Sequence, residues 1–119
     1  MAGKVDVVRG TLELLVLKTL SAGTPLHGFG ILRWISDATG EALLIEEGAL
    51  YPALHRLEQR AWIHGDWQVS EKGRRAKYYV LTQLGRRQLV REEAQWLRYL
   101  TAWQAIAEAA EAAAAGARP

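Results

Sequence analysis

The sequence contains no cysteine among its 119 residues. That absence excludes a disulfide framework and any metal site built from thiolates. Long hydrophobic runs are also missing, because the longest nearly apolar stretch near the start, residues 12–20, is interrupted by Glu13 and Lys18. Such a stretch is typical of neither a signal peptide nor a membrane span. We therefore expect a cytoplasmic protein with no membrane partner.

Residue patterns typical of enzymes are scarce. The three histidines, His27, His55 and His64, are scattered, no His-Glu-x-x-His occurs, and no glycine-rich phosphate loop follows a strand candidate. Asp66 and Glu71 do not make a plausible acid/base pair, and no serine, histidine and acid combination can be argued from spacing. We therefore expect no catalytic residues, no cofactor, no metal site and no enzymatic activity.

Length, composition and charge favour one small globular domain with a local basic surface. Half of the residues are hydrophobic and 24% are charged, which suits a folded chain too short for a second core. The net charge of +2 is uneven, with −1 over residues 1–46, +5 over 47–91 and −2 over 92–119. A local basic excess is typical of a surface that contacts a polyanion, although a solvated basic surface has the same composition.

Two helices are predicted in the first third of the chain. Apolar positions wrap most of a helical wheel over residues 12–20, which predicts a buried helix that stops near Gly23. Thr24 and Pro25 are residue types that cap and start a helix, so a second helix is predicted from there to Gly40. The first of these helices is expected to form part of the core.

A third helix, predicted over residues 47–61, has two contrasting faces. Leucine and alanine recur at helical spacing on the inward face, at Leu50, Leu54, Leu57 and Ala61. The opposite face is small at its beginning and carries hydrogen-bonding groups further along, as a helix that enters a DNA groove requires. This face comprises Gly48, Tyr51, Pro52, His55, Arg56 and Gln59. An ordinary amphipathic helix has a similar polar face. Because proline lacks an amide, we expect the regular helix to begin only three or four residues before Pro52.

A β-hairpin with a basic tip is predicted after the third helix. Apolar residues fall on odd positions of two strand candidates, at Ile63, Trp67 and Val69 and at Tyr79 and Leu81. Between the strands, Gly73 can adopt the positive φ of a tight turn. Four cations surround this glycine: Lys72, Arg74, Arg75 and Lys77. Such a wing can lie along a phosphate backbone or enter a narrow minor groove, while a solvated turn is the alternative.

A long last helix is predicted from an N-cap at Thr82 to about residue 114. Its apolar residues follow the spacing of a heptad seam at Leu89, Trp96, Leu100 and Trp103. Identical seams are self-complementary about a two-fold axis, so we expect a homodimer, although packing on the chain's own first helix also covers a seam. The two tryptophans either fill this interface or line a pocket for a small aromatic effector.

The order of these elements predicts a mainly α fold with a small β-hairpin, namely a winged helix-turn-helix followed by a long dimerisation helix. We expect a DNA-binding domain over residues 1–82, the dimerisation helix over 83–114 and a disordered tail over 115–119.

Several segments together resemble the PadR family of transcriptional regulators, in particular its short members with one C-terminal helix. They read GTLELLVL at 10–17, LHGFGI at 26–31, EGALYPALHRLE at 47–58, GRRAKYY at 73–79 and LTxxG at 81–85. Two positions depart from the family's pattern. Ala49 replaces a common Ser or Thr, which removes one hydroxyl from the start of the third helix, and Lys72 replaces a frequent Glu or Asn.

The resemblance implies a dimeric winged-helix regulator, often a repressor, that binds an inverted-repeat operator in double-stranded DNA and releases it when a small effector binds. A winged-helix module for protein interaction, or for sensing a small molecule without DNA, is the alternative. Steep salt dependence of DNA binding distinguishes the first function from these alternatives.

Overall fold

Four helices, a β-hairpin and a short parallel strand pair make up the described residues of the computed structural model, 5–6 and 11–117. The elements are β1 (Val5–Asp6), α1 (Leu12–Leu20), α2 (Gly28–Ala38), β2 (Leu43–Leu44), α3 (Glu47–Gln59), β3 (Ile63–Val69), β4 (Arg75–Leu81) and α4 (Gln83–Gly116). β1 pairs with β2 in parallel, and β3 pairs with β4 as an antiparallel hairpin. The predicted winged-helix fold class, mainly α with a small hairpin, is confirmed.

The chain divides into two compact units, one ending at Leu89 and the other beginning at Val90. The first unit holds every element up to the first turns of α4, and the second holds the rest of that helix. No helix within residues 5–6 and 11–117 is long and apolar enough to cross a lipid bilayer.

The core of the first unit lies among α1, α2, α3 and the base of the hairpin. Its completely buried side chains include those of Val16, Leu17, Ile31, Leu50 and Leu57. Leu89 belongs to the same core cluster. This leucine, which the heptad spacing assigned to the seam of the last helix, therefore packs within the first unit.

The start of α2 differs from the prediction. The helix begins at Gly28, and the N-cap is His27, whose Nδ1 accepts a hydrogen bond of 2.9 Å from the Gly30 amide. The predicted start at Thr24 and Pro25 is wrong, because Leu26 is held extended by two backbone hydrogen bonds with Tyr79, of 3.2 and 2.9 Å. A residue paired with a β-strand cannot also lie in a helix, so the helix begins after it.

The C-terminal end of α3 differs from the prediction, whereas its start at Glu47 agrees with the predicted range. The helix ends at Gln59. Ala61 lies beyond this end, is exposed and has a φ of 60°, so the prediction that Ala61 belongs to the inward stripe is wrong. At the other end, the Glu46 carbonyl accepts from the Ala49 and Leu50 amides at 3.1 Å, which closes the first turn well before Pro52. Because Pro52 has no amide, it cannot donate a helical hydrogen bond to the carbonyl of Gly48, four residues earlier, and Gly48 is exposed.

The hairpin is buried only at its base. Ile63 pairs with Leu81, and both are in the core, whereas Trp67 and Val69 near the other end are 58% and 71% exposed. The alternation therefore predicted the strands correctly, but the hairpin extends past the core. Its turn contains Gly73 with the predicted positive φ, 75°.

The predicted N-cap of α4 is confirmed. The hydroxyl of Thr82 accepts a 2.9 Å hydrogen bond from the Gly85 amide and donates one of 2.6 Å to the Ala61 carbonyl. At the far end, residues 115 and 116 of the predicted disordered tail are helical, and residues 118 and 119 lie outside the described residues.

Candidate nucleic-acid interface

The outward side of α3 is exposed to solvent. Since Leu50, Leu54 and Leu57 face the core, the opposite side of the helix faces solvent. All six residues that the sequence assigned to a DNA-contacting face are exposed there: Gly48, Tyr51, Pro52, His55, Arg56 and Gln59. The structure thus brings these residues together on one surface.

An ion-pair cluster holds part of this surface to α1. Glu13 Oε1 accepts a 2.7 Å hydrogen bond from Arg56 Nε, and its Oε2 accepts one of 3.0 Å from Arg60 Nη1. The Arg60 guanidinium also lies 5.1 Å from the centre of the Trp62 ring. The helical spacing placed Arg56 on the DNA-contacting face but did not reveal its carboxylate partner, since no periodicity relates residues so far apart in the chain.

The tip of the wing presents its cations to solvent. Lys72, Arg74 and Arg75 are all exposed, and the Arg75 guanidinium lies 5.2 Å from the centre of the Trp67 ring. This cation–π contact is diagonal across the hairpin, because Trp67 pairs with Lys77 and Val69 pairs with Arg75. The alternation of the strands did not by itself indicate Trp67 as a neighbour of Arg75. The strand register brings these two side chains to one face of the hairpin.

Lys77 differs from the cations at the tip. Its Nζ donates a 2.8 Å hydrogen bond to Oε1 of Glu58 on α3, and this hydrogen bond raises the pKa of Lys77 above the usual lysine value. The neighbouring Tyr79 is in the core, and burial raises the pKa of its hydroxyl. The structure therefore joins the wing to α3 through a residue that the sequence assigned to DNA.

The part of α4 beyond Val90 carries an apolar surface. The ring of Trp96 is half-buried and stacks on Tyr99 with a centroid separation of 5.8 Å. Leu100 and Trp103 are exposed, the indole by 60%. These three seam residues lie in the second unit, whereas Leu89 lies in the core of the first.

Acidic and histidine side chains do not form a metal centre within the part of the chain that the structure describes. His64 and Asp66 do form a pair, with Nε2 and Oδ1 separated by 3.1 Å, but both side chains are largely exposed on the hairpin.

Comparison with known proteins identifies the family. The model of the transcriptional regulator PadR-like family matches residues 16–91, a range that contains α2, α3 and the whole wing. The chain belongs to the PadR family. PadR-like proteins are transcriptional regulators and not enzymes, and this PadR-family chain therefore has a role in regulating transcription.

Solved structures of transcriptional regulators share the fold, and one sequence relative covers most of the chain. A PadR family transcriptional regulator from Eggerthella lenta is 32% identical, with a TM-score of 0.72 and 84% of each chain covered. A transcriptional regulator from Clostridium thermocellum is 27% identical, with a TM-score of 0.72 over 81% of this chain and 89% of that one. An uncharacterized protein of Lysinibacillus sphaericus is 35% identical over 94 residues, which cover 76% of this chain and 83% of the relative.

Proposed function

We propose that the protein is a homodimeric repressor that binds an inverted-repeat operator in double-stranded DNA through α3 and the wing. The observation that carries this proposal is the pairing of an exposed, donor-rich helix face with an exposed basic hairpin tip in one compact unit. In a winged helix-turn-helix, these are the two elements that reach the grooves and the phosphates.

The two elements supply different kinds of contact. Tyr51, His55 and Gln59 on α3 carry hydroxyl, imidazole and amide groups that can hydrogen-bond to base edges in the major groove. Lys72 and Arg74 stand on a turn too short to read several bases, so they supply phosphate attraction rather than sequence choice. We infer that the helix selects the operator and that the wing adds affinity.

Dimerisation through α4 is part of the proposal. Leu100 and Trp103 expose large apolar side chains on the described surface of α4, and a second copy of the same helix would cover them about a two-fold axis. We assign residues 1–82 to DNA binding, 83–114 to dimerisation and 115–119 to a tail. The resemblance to short PadR proteins supports this organisation, which would set two half-sites about one helical turn apart.

Release by a small aromatic effector completes the proposal. Trp96 already stacks on Tyr99, and two copies of Trp96 and Trp103 would place four indoles near one interface. So much aromatic bulk favours splayed helices with an apolar gap that fits a flat ligand. A dimer interface filled by the indoles alone is the competing arrangement.

Salt titration of DNA binding tests the proposed function. The upstream region of the protein's own gene is searched for an inverted repeat, and a duplex of that repeat is compared with a scrambled duplex of the same composition. We expect the repeat to bind more tightly at every salt concentration, and both affinities to fall steeply and linearly on logarithmic axes. Binding without steep salt dependence would instead support a protein-interaction module.

A further inference from the structure

The ion pair between Lys77 and Glu58 links the middle of the wing to α3. Lys77 Nζ lies 2.8 Å from Glu58 Oε1, and the two side chains are only 27% and 28% exposed. The two residues are 19 positions apart in the sequence and belong to different elements. Because the pair joins two different elements, it restrains the distance between them.

A glycine opens the path that the Lys77 side chain follows. A Cβ on Gly65 would lie 2.7 Å from Lys77 Cε and 3.1 Å from its Cγ, so the stem of the lysine crosses β3 where no side chain stands. The ammonium ends 5.9 Å from the centre of the Tyr79 ring. Gly65, Tyr79 and Glu58 together direct this cation to α3.

The ion pair lies midway along the hairpin, where it can support the outer half of the wing. Lys77 is paired with Trp67, midway between the buried base at Ile63 and Leu81 and the turn at Gly73. A two-stranded hairpin is marginally stable by itself, so its outer half needs a support beyond the strand hydrogen bonds. The ion pair supplies one between the middle of the wing and α3.

We propose that Glu58, Lys77 and Gly65 form a clamp that sets the distance between the wing and α3, so that Lys77 is a positioning residue for DNA binding. The inference rests on the proposed DNA-binding function, and it changes the role of Lys77 from phosphate ligand to support. A helix in the major groove and a wing on the adjacent backbone must be held at a set separation, and flexibility between them lowers affinity.

Opposite charge changes at the two ends of the clamp provide the test. Lys77→Met keeps the length of the stem and removes one positive charge, while Glu58→Gln removes one negative charge. A general charge effect on DNA affinity would move the two variants in opposite directions. The clamp predicts that Lys77→Met and Glu58→Gln each lower operator affinity by about five- to tenfold. The double variant should bind no more weakly than either single variant. The swap of Glu58→Lys with Lys77→Glu should restore part of the affinity.

Lys72→Met is the matched control, because it removes a lysine from the exposed tip. We expect it to weaken operator and scrambled DNA alike and to reduce the logarithmic salt slope by about one, whereas Lys77→Met leaves the slope unchanged. If Lys77→Met reduces the slope by about one and Glu58→Gln tightens binding, Lys77 is a phosphate ligand and the clamp is wrong.

Hydrogen exchange of the wing amides tests the clamp without DNA. We expect faster exchange in β3 and β4 around Trp67 and Lys77 in both single variants, and slower exchange again in the charge swap. Unchanged exchange in both single variants overturns the clamp even if DNA binds as proposed. Accelerated exchange in a protein that binds no DNA would support the clamp and reject the proposed function.

Discussion

The ring of Tyr51 on α3 lies directly against Gly28, the first residue of α2. A Cβ on residue 28 would come within 2.7 Å of Tyr51 Cε1 and 2.9 Å of the phenol oxygen. The aromatic ring therefore occupies the space that a side chain on α2 would fill, while almost half of the tyrosine's surface remains exposed on the face of α3. The contact couples the orientation of a candidate base-contacting residue to the helix before it.

Gly28→Ala should destabilise the protein and weaken DNA binding, because either the Tyr51 ring or α2 must move to make room for the added Cβ. Gly48→Ala on α3 is the matched control for stability alone, since a Cβ there would meet nothing within 4 Å and Gly48 itself lies on the proposed DNA-contacting face. The control should gain up to about 1 kcal/mol of unfolding free energy from helix propensity. Thermal denaturation of the two variants provides the comparison, and equal stabilities would contradict the close contact.

Leu54 and Gln59 separate the structural side of α3 from its proposed DNA side. Leu54 is in the core and Gln59 is exposed. Leu54→Ala should reduce the free energy of unfolding by about 2 to 5 kcal/mol, while Gln59→Ala should leave stability nearly unchanged and alter operator binding. Chemical denaturation and DNA titration measure the two effects, and identical behaviour of the variants would reject the assigned faces.

Removal of both wing arginines should reduce affinity without changing sequence choice. Arg74→Ala with Arg75→Ala should weaken operator and nonspecific DNA alike and reduce the salt slope by about one to two units. Arg98→Ala, on the exposed surface of α4 outside the proposed interface, is the control for general charge loss. A loss confined to the operator would mean that the wing reads bases.

Glu13→Gln should strengthen DNA binding, in contrast to the same change at Glu58. Glu13 neutralises Arg56 and Arg60 near the proposed interface, and its removal frees both guanidinium groups for phosphate. The salt slope should rise by about one, while unfolding free energy should change by less than about 1 kcal/mol, because the arginine side chains are about half exposed. Weaker binding by this variant would mean that the cluster supports α3 as the clamp supports the wing.

Trp96 tests the proposed effector site on α4. Planar aromatic compounds at micromolar concentration should quench tryptophan fluorescence, and Trp96→Ala should abolish the quenching while the protein remains a dimer in sedimentation. If the variant instead loses about 3 to 5 kcal/mol of stability or dissociates, and no ligand binds, the indoles only fill the interface. If the wild-type chain sediments as a monomer at about tens of micromolar, both the dimer and the two-fold operator are contradicted.

Features that depend on neighbours in the sequence could be predicted from the sequence. The inward stripe at Leu50, Leu54 and Leu57 follows from helical period, the turn at Gly73 from glycine's freedom at positive φ, and the cap at Thr82 from a hydroxyl next to a helix start. Each of these needs only interactions within a few residues. For the same reason, the exposed face of α3 could be named before the structure was known.

Features that depend on residues distant in the sequence were decided only by the tertiary structure. The start of α2 was set by the backbone pairing of Leu26 with Tyr79, and the partners of Arg56 and Lys77 are carboxylates 43 and 19 residues away. Local propensity allows a helix at Thr24 and allows both cations to be free. Packing around one core then brings a strand to Leu26 and a carboxylate to each of the two cations. These partners are favoured because a buried backbone group or a partly buried charge costs free energy when it has no partner.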